Sequence, residues 1–561
     1  MRLINTGTGV FKEFIGRKTP EYAILSHTWE EEEVSYQDYV SGAYSHKKGY
    51  EKIRKTLELA KKNNLSYAWI DTCCIDKSSS AELTEAINSM YRWYQRSRTC
   101  FVYLSDLKSE RNSRDPRGCR WFTRGWTLQE LIAPSSDDMY FYDSEWKYVG
   151  SKTDLAYEIS RVTGVSREVL LSHDALSSVC VARKMSWAAN RETTRVEDMA
   201  YCLLGLFNVN MPLLYGEESK AFRRLQEEII RTNPDISIFA WKVERTYKDS
   251  RRIDPEVSAH CGILAQSPAP FKYARRFQTA LVGGFQQEFS ICNNGIKTNS
   301  LFTVFGNHGG FYVLPLYCRT TEGTDLAIRL RKVGPDTFVR DSPDSLFAYM
   351  DILLKHVPGS YCILVDRYSM DDSRHQSLLE SWAQLSVSSY RPNFLRFELA
   401  PDIVVHERLG CFDPEDGVFF VPKGVRTDCV GMVFSVRPPK NVKAPNIAQG
   451  HRFIVLAFGW STEIETTQYT VADLNRWTEE LSNMESLLAQ GANTQTQLLR
   501  IMALWNIPKV SSVACPLVDS SEYNRVHLEP SYTTRRIRVG YDILESEDVP
   551  HENRGRWTWS N

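Results

Sequence analysis

The chain has no CxxC pair among its 13 cysteines, no Gly-Lys dipeptide, and no apolar run close to the length of a membrane span. An odd cysteine count scattered over 561 residues argues against a disulfide frame or a cysteine zinc site, and for reduced thiols in a cytoplasmic setting. Without Gly-Lys there is no phosphate-cradling P-loop. Gly7 and Gly9 lack the third glycine of a dinucleotide fingerprint, and HExxH and GxSxG are absent, so ATPase, zincin and α/β-hydrolase readings lose their support. Phe453 to Trp460 is among the longest uninterrupted apolar stretches, far short of the ~20 residues a bilayer requires. The N-terminus, Met1 to Gly16, is polar and broken by glycines, unlike a secretory signal. Charge of one sign is also missing: 68 Lys and Arg against 69 Asp and Glu leave a net charge of -1, which removes the electrostatic drive of a nucleic-acid binder.

What is present is an ordinary globular composition, 42% hydrophobic and 24% charged, in a chain long enough for two to four domains. Residues 1–150 alternate strand and helix. Short apolar runs at Tyr22 to Leu25, Tyr67 to Ile70, Thr99 to Leu104 and Met139 to Tyr142 read as strands. Tyr50, Ile53, Leu57 and Ala60 share a helix face, as do Leu83, Ile87, Met90 and Tyr94 after a capping-box pattern at Ser79 and Glu82. A loop runs from Asp71 to Ser78, and a short helix from about Thr127 stops by Pro134. The fold class expected is α/β, a flavodoxin-like parallel sheet with helices on both faces. Residues 151–240 read as a helical extension of that domain, and 241–561 as a mostly β accessory domain with helical insertions near Ser345 to Lys355 and Val471 to Trp505.

Ligands in such sheets bind outside the carboxyl ends of the strands. Ser26, His27 and Trp29 follow the first of these strands, Asp71, Cys73, Cys74 and Asp76 the second, and Glu130 lies on the short helix after the third. Lys108, Arg111, Arg114, Arg117, Arg120 and Arg124 form a basic lip beside that acid, where a pyrophosphate would be held. Each has a plainer explanation. Glu130 pairs with Arg124 or another lip arginine, His27 locks a loop, Trp29 and Trp126 pack, and Arg191, Arg195, Glu197 and Asp198 make an ion-pair network. A thiol enzyme built on Cys73 or Cys74 with His27 is disfavoured by the acidic neighbours, which raise a cysteine pKa.

Three ordered blocks then carry a resemblance: Tyr22-Ala-Ile-Leu-Ser-His-Thr-Trp29, Trp69-Ile-Asp-Thr-Cys-Cys-Ile-Asp-Lys77, and Phe122-Thr-Arg-Gly-Trp-Thr-Leu-Gln-Glu-Leu-Ile-Ala-Pro134. They resemble the signature blocks of the HET domain, the heterokaryon-incompatibility module of filamentous fungi, and Met185 to Tyr201 resembles the segment that follows them. The resemblance implies a role in non-self recognition and regulated cell death. HET domains are in turn similar to TIR domains, many of which cleave NAD+ at its nicotinamide bond. Trp126-Thr-Leu-Gln-Glu-Leu131 resembles the TIR block that carries the catalytic glutamate, with Thr127 standing where TIR proteins often have cysteine. That likeness implies Glu130 as catalytic residue, with Ser26, His27, Trp29, Asp71, Arg124 and Trp126 as candidate substrate contacts. NAD+ or a related nucleotide is then the substrate, with no cofactor or metal. It also implies self-association through the HET domain, and a trigger or protein partner is expected for the C-terminal part. A non-catalytic adaptor acting by self-association or partner binding is the alternative.

Overall fold

The computed structural model describes residues 1–108, 118–244, 247–249, 252–253, 260–280, 288–293, 295–304, 311–334, 337–349 and 354–365, and beyond these the backbone of strands between 394 and 543. The chain divides into two compact units. One comprises Met1–Asn307, Phe311–Leu330 and Val339–Asp366, the other His308–Gly310, Arg331–Phe338 and Arg367–Asn561.

The N-terminal sheet is built from β1 (Arg2–Asn5), β2 (Phe11–Glu13), β3 (Ala23–His27), β4 (Tyr67–Trp69), β5 (Thr99–Tyr103), β6 (Met139–Tyr142) and β7 (Tyr148–Ser151), in the order β2-β1-β4-β3-β5-β6-β7. The four strands expected from the apolar runs form its parallel centre, β4-β3-β5-β6. That is the doubly wound order, and the crevice between β3 and β5 is the switch point. β1, β2 and β7 extend the sheet antiparallel. Their short, half-polar sequences gave no sign of it: Leu3 and Ile4 become core residues only because β4 offers them an edge.

The intervening helices are α1 (Tyr36–Ser41), α2 (Tyr50–Lys62), α3 (Asp71–Cys74), α4 (Ser80–Arg96) and α5 (Thr127–Ile132). α1 opens on a capping box in which Ser35 and Asp38 satisfy each other's backbone amides. α4 keeps half of the expected box. Ser79 accepts from the Glu82 amide, but the Glu82 carboxylate turns to the Asp76 amide and to Arg2. The segment from Asp71, expected as loop, starts with the single turn of α3. Neighbouring residues of β3 reach helices on opposite faces, Ser26 meeting α5 and His27 meeting α2, so helices cover both sides of the sheet.

The extension carries α6 (Ala156–Thr163), α7 (Arg167–Leu171), α8 (Val181–Ser186), α9 (Asp198–Tyr201) and α10 (Lys220–Thr232). α9 is a single turn, and the apolar residues after it continue through turns that bring Gly205 against Tyr91 of α4. A Cβ at 205 would lie 2.0 Å from the Tyr91 Cβ, so only glycine permits this approach.

The region after the extension is dominated by strands. Gly295–Val304 pairs with Leu354–Leu364, and Asp325–Ala327 with Phe347–Tyr349, both antiparallel. Within the stretch 345–355 expected as helix, residues 347–349 and 354–355 are therefore strand, the helical spacing at those positions being overridden by pairing with neighbouring strands. Farther on, Thr467–Asp473 is a strand paired with Arg452–Trp460, so the stretch expected as helix from Val471 begins in a sheet. The remainder of that stretch lies outside the described residues.

Candidate functional site

Glu130 lies on α5, a helix whose six residues are all buried. It faces Ser26 on β3, which is fully enclosed, and the Ser26 hydroxyl donates to Glu130 Oε2 at 2.5 Å. Trp121 Nε1 donates to the same hydroxyl oxygen at 2.8 Å, and the Tyr94 hydroxyl, which donates to the Leu25 carbonyl, lies alongside. No lysine or arginine among the described residues stands within ion-pair distance of Glu130. Burial first, and then the Asp71 charge, push its carboxyl up to about 8, against the pull of Ser26, Tyr94 and Arg191. At neutral pH this acid is mostly protonated.

The opposite face of the same end of β3 belongs to a second cluster. His27 Nε2 lies 2.9 Å from Asp71 Oδ1, and Trp29 Nε1 donates to Asp71 Oδ2 at 2.7 Å. Lys52 Nζ sits 3.2 Å from His27 Nδ1, and also bonds the Thr28 carbonyl and the Glu33 carboxylate. An ammonium only donates, so Nδ1 of a neutral His27 accepts and Nε2 carries the hydrogen given to Asp71. Burial acts to raise the Asp71 carboxyl, but the hydrogen bonds from His27 and Trp29 and the Lys77 charge outweigh it and hold it below the usual range. Both nitrogens of His27 are thus engaged. Trp29, by contrast, is half exposed, and Lys77 Nζ lies 3.4 Å from its ring centre.

Of the substrate contacts selected from sequence, Ser26 meets Glu130, while His27, Trp29 and Asp71 meet one another. Arg124 and Trp126 turn to the extension: Arg124 Nη2 donates to Thr194 Oγ1 at 3.0 Å, and the Trp126 indole bonds Asp198. Pairing of Glu130 with Arg124 is therefore not found. Of the basic lip, Arg111, Arg114 and Arg117 lie outside the described residues; Arg120 is tied to Glu30 at 2.7 Å.

The expected ion-pair network of the extension is also corrected. Arg191 is buried with no carboxylate in ion-pair distance among the described residues. It bonds the carbonyls of Trp187 and Arg124 and the Thr127 hydroxyl, and burial lowers it to about 10. Glu197 accepts the Gly216 and Glu218 amides, Asp198 accepts the Tyr215 hydroxyl, and Arg195 lies over the Tyr215 ring. Thr127 explains itself here: its hydroxyl donates to the Trp121 carbonyl, lies 3.0 Å from the Arg124 carbonyl and accepts from Arg191, fixing the start of α5. Cys73 is fully buried and its thiol is held well above its ordinary value, mainly by burial and Cys74, so no thiolate is available there.

Trp121, Tyr94, Lys52 and Glu33 were not selected from sequence. Trp121 stands directly before the third block, and Tyr94 on an apolar helix face that reads only as core; Lys52 and Glu33 carry no local signal, because long-range packing brings them in. Among the described residues no group of three or more His, Cys, Asp or Glu side chains is arranged to hold a metal, and no helix is long and apolar enough to cross a membrane. A cavity of about 370 Å³ opens at the extension, lined by Arg191, Thr193, Met199, Phe222 and Ser267, apart from Ser26 and Glu130.

Residues 22–119 match the family Heterokaryon incompatibility protein (HET), so the segment that carries the parallel strands from β3 to β5 is similar to a HET domain. Glu130 lies beyond that match. Residues 220–325 match a domain of unknown function (DUF8212). The vegetative incompatibility protein HET-E-1 of Podospora anserina is 44% identical over 267 residues, 46% of this chain and 19% of that protein, so the chain spans about a fifth of this relative. No solved structure matches the chain.

Proposed function

We propose that this chain is a cell-death effector of the heterokaryon-incompatibility type, and that its N-terminal sheet carries an NAD+ nucleosidase site which is closed in the described form. The reading rests on the Ser26–Glu130 contact: a buried acid with no cation in ion-pair distance among the described residues, at the switch point where such sheets take ligands. A glutamine would fill the same space and still accept from Ser26 without the desolvation cost of an ionisable group. An acid held there against stability is suited to a task that needs its charge.

The chemistry asks for that charge late. Nicotinamide is a good leaving group in NAD+, so the site must mainly stabilise an oxocarbenium-like ribosyl cation, which a carboxylate beneath the sugar does electrostatically or through the ribose hydroxyls. In the closed form Glu130 holds its proton. Separation of α5 from Ser26, with admission of the positively charged nicotinamide ribosyl group, releases that proton to solvent and presents the carboxylate to the sugar; the glycosidic C–N bond then breaks with its electron pair leaving on nicotinamide, and water adds to the ribosyl cation and gives its proton to solvent. Self-association, or a signal through the C-terminal part, is the trigger for that opening.

The second reading, an adaptor that signals by assembly without catalysis, is favoured by one observation: Glu130 is only 5% exposed. NAD+ consumption by the purified full chain and by Glu130→Gln separates the two. The effector reading expects a loss on the order of 10²–10³ in rate in the variant with the fold intact. Equal consumption by both removes Glu130 from the reaction. Death without NAD+ loss in expressing cells leaves the adaptor.

A further inference from the structure

Cys292 closes the strand Phe289–Ile291 at the turn into Gly295–Val304, and Cys362 lies on Leu354–Leu364, the strand on the other side of Gly295–Val304. The two side chains meet across the middle strand, with their sulfurs 3.8 Å apart, and both residues are partly exposed. Gly295 makes the meeting possible. A Cβ at 295 would lie 3.1 Å from the Cys362 sulfur and 2.2 Å from the Ile363 carbonyl oxygen. Every other described cysteine except Cys261 is buried, so this pair combines mutual contact with access to solvent.

We propose that Cys292 and Cys362 are a dithiol modification site, converted to an intramolecular disulfide by a low-molecular-weight disulfide such as oxidised glutathione. Cys292, as thiolate, attacks one sulfur of the oxidant, forming a mixed disulfide and releasing one glutathione thiolate, which takes up the proton Cys292 gave up. Cys362 then loses its proton and attacks the Cys292 sulfur, and the second glutathione leaves and takes that proton. Two thiols are oxidised and one glutathione disulfide is reduced to two thiols. Burial and the neighbouring Cys292 push the Cys362 thiol up to about 12, which disfavours Cys362 as the first nucleophile. Rotation of the side chains must close the 3.8 Å gap to the ~2.05 Å of a bond.

The bond would have a structural consequence. Phe289, on the strand that Cys292 ends, packs on Phe239 of the turn that follows α10, with ring centres 5.8 Å apart. Oxidation therefore ties the strand resting on the helical extension to the long strand 354–364, across a separation of 70 residues.

The test uses the full chain equilibrated in buffers of increasing oxidised-to-reduced glutathione ratio, blocked with N-ethylmaleimide, and mapped by non-reducing peptide mass spectrometry. The expected result is one linked peptide pair, Cys292 to Cys362, absent in the reduced chain and dominant in the oxidised one, with two hydrogens lost. Cys362→Ser should instead hold a glutathione adduct at Cys292, while Cys292→Ser should slow modification at 362. Recovery of both cysteines alkylated, or each separately glutathionylated, across the whole range overturns the proposal, as does a linked pair involving other cysteines. The outcome is independent of NAD+ chemistry, so failure here leaves the nucleosidase reading untouched.

Discussion

Replacing Glu130 by glutamine should change how the stability of this protein depends on pH. In the fold the carboxyl is raised from 4.5 to about 8, so the folded chain holds the proton more tightly than the unfolded one. Below pH 4.5 both states are protonated and the Ser26–Glu130 contact contributes in full. Between 4.5 and about 8 only the unfolded state has released its proton, so stability falls as pH rises, by about 1.4 kcal/mol per pH unit. Above about 8 both states are ionised and the loss, about 5 kcal/mol in all, is complete. The substituted glutamine keeps the volume and the acceptor for Ser26 but cannot ionise. The gap between variant and wild type should therefore open steadily in the variant's favour as pH rises, to about 5 kcal/mol. Thermal melts of the full-length chain in matched buffers, followed by tryptophan fluorescence, read this as melting curves that converge in acid and diverge at alkaline pH. Parallel pH profiles would refute the account, because they would mean that Glu130 titrates alike in the folded and unfolded chain.

Two further substitutions probe the same domain. Lys152 is buried, donates to the Pro134 carbonyl, and is lowered from 10.5 to about 8, chiefly by burial. Its ammonium thus opposes folding most below pH 8, and stability is regained as pH rises toward 10.5. Lys152→Met should stabilise the fold near pH 7 by up to about 3 kcal/mol, and a melting temperature no higher than wild type at that pH would contradict this. Gly205→Ala drives a methyl into the Tyr91 side chain and should destabilise by about 1–3 kcal/mol, measured by chemical denaturation; an unchanged midpoint would show that α4 can yield there.

The central strands and the long helices were legible because their signals are local. The face shared by Ile53, Leu57 and Ala60, and the capping serine before α4, act over three or four residues and survive whatever lies around them. The edge strands β1, β2 and β7 were not legible, since a strand of three or four residues has too few positions to show alternation and exists only by pairing. At the site, the residue types at the strand ends were readable, but their grouping was not. Arg124 and Trp126 stand six and four residues from Glu130 and yet serve the extension, because α5 is enclosed and its entrance is tied to Thr194 and Asp198.

The sequence by itself determined a doubly wound sheet with HET blocks at the ends of its strands, since apolar period and motif spacing are properties of the chain. Only the tertiary structure decided what those ends do. Ser26 and His27 are neighbours in sequence, but alternation across β3 sends one to a buried acid 104 residues away and the other to Lys52 and Asp71. Whether Glu130 carries a charge is likewise a matter of dielectric surroundings, which are made by helices and strands remote in sequence and cannot be read from the six residues around it.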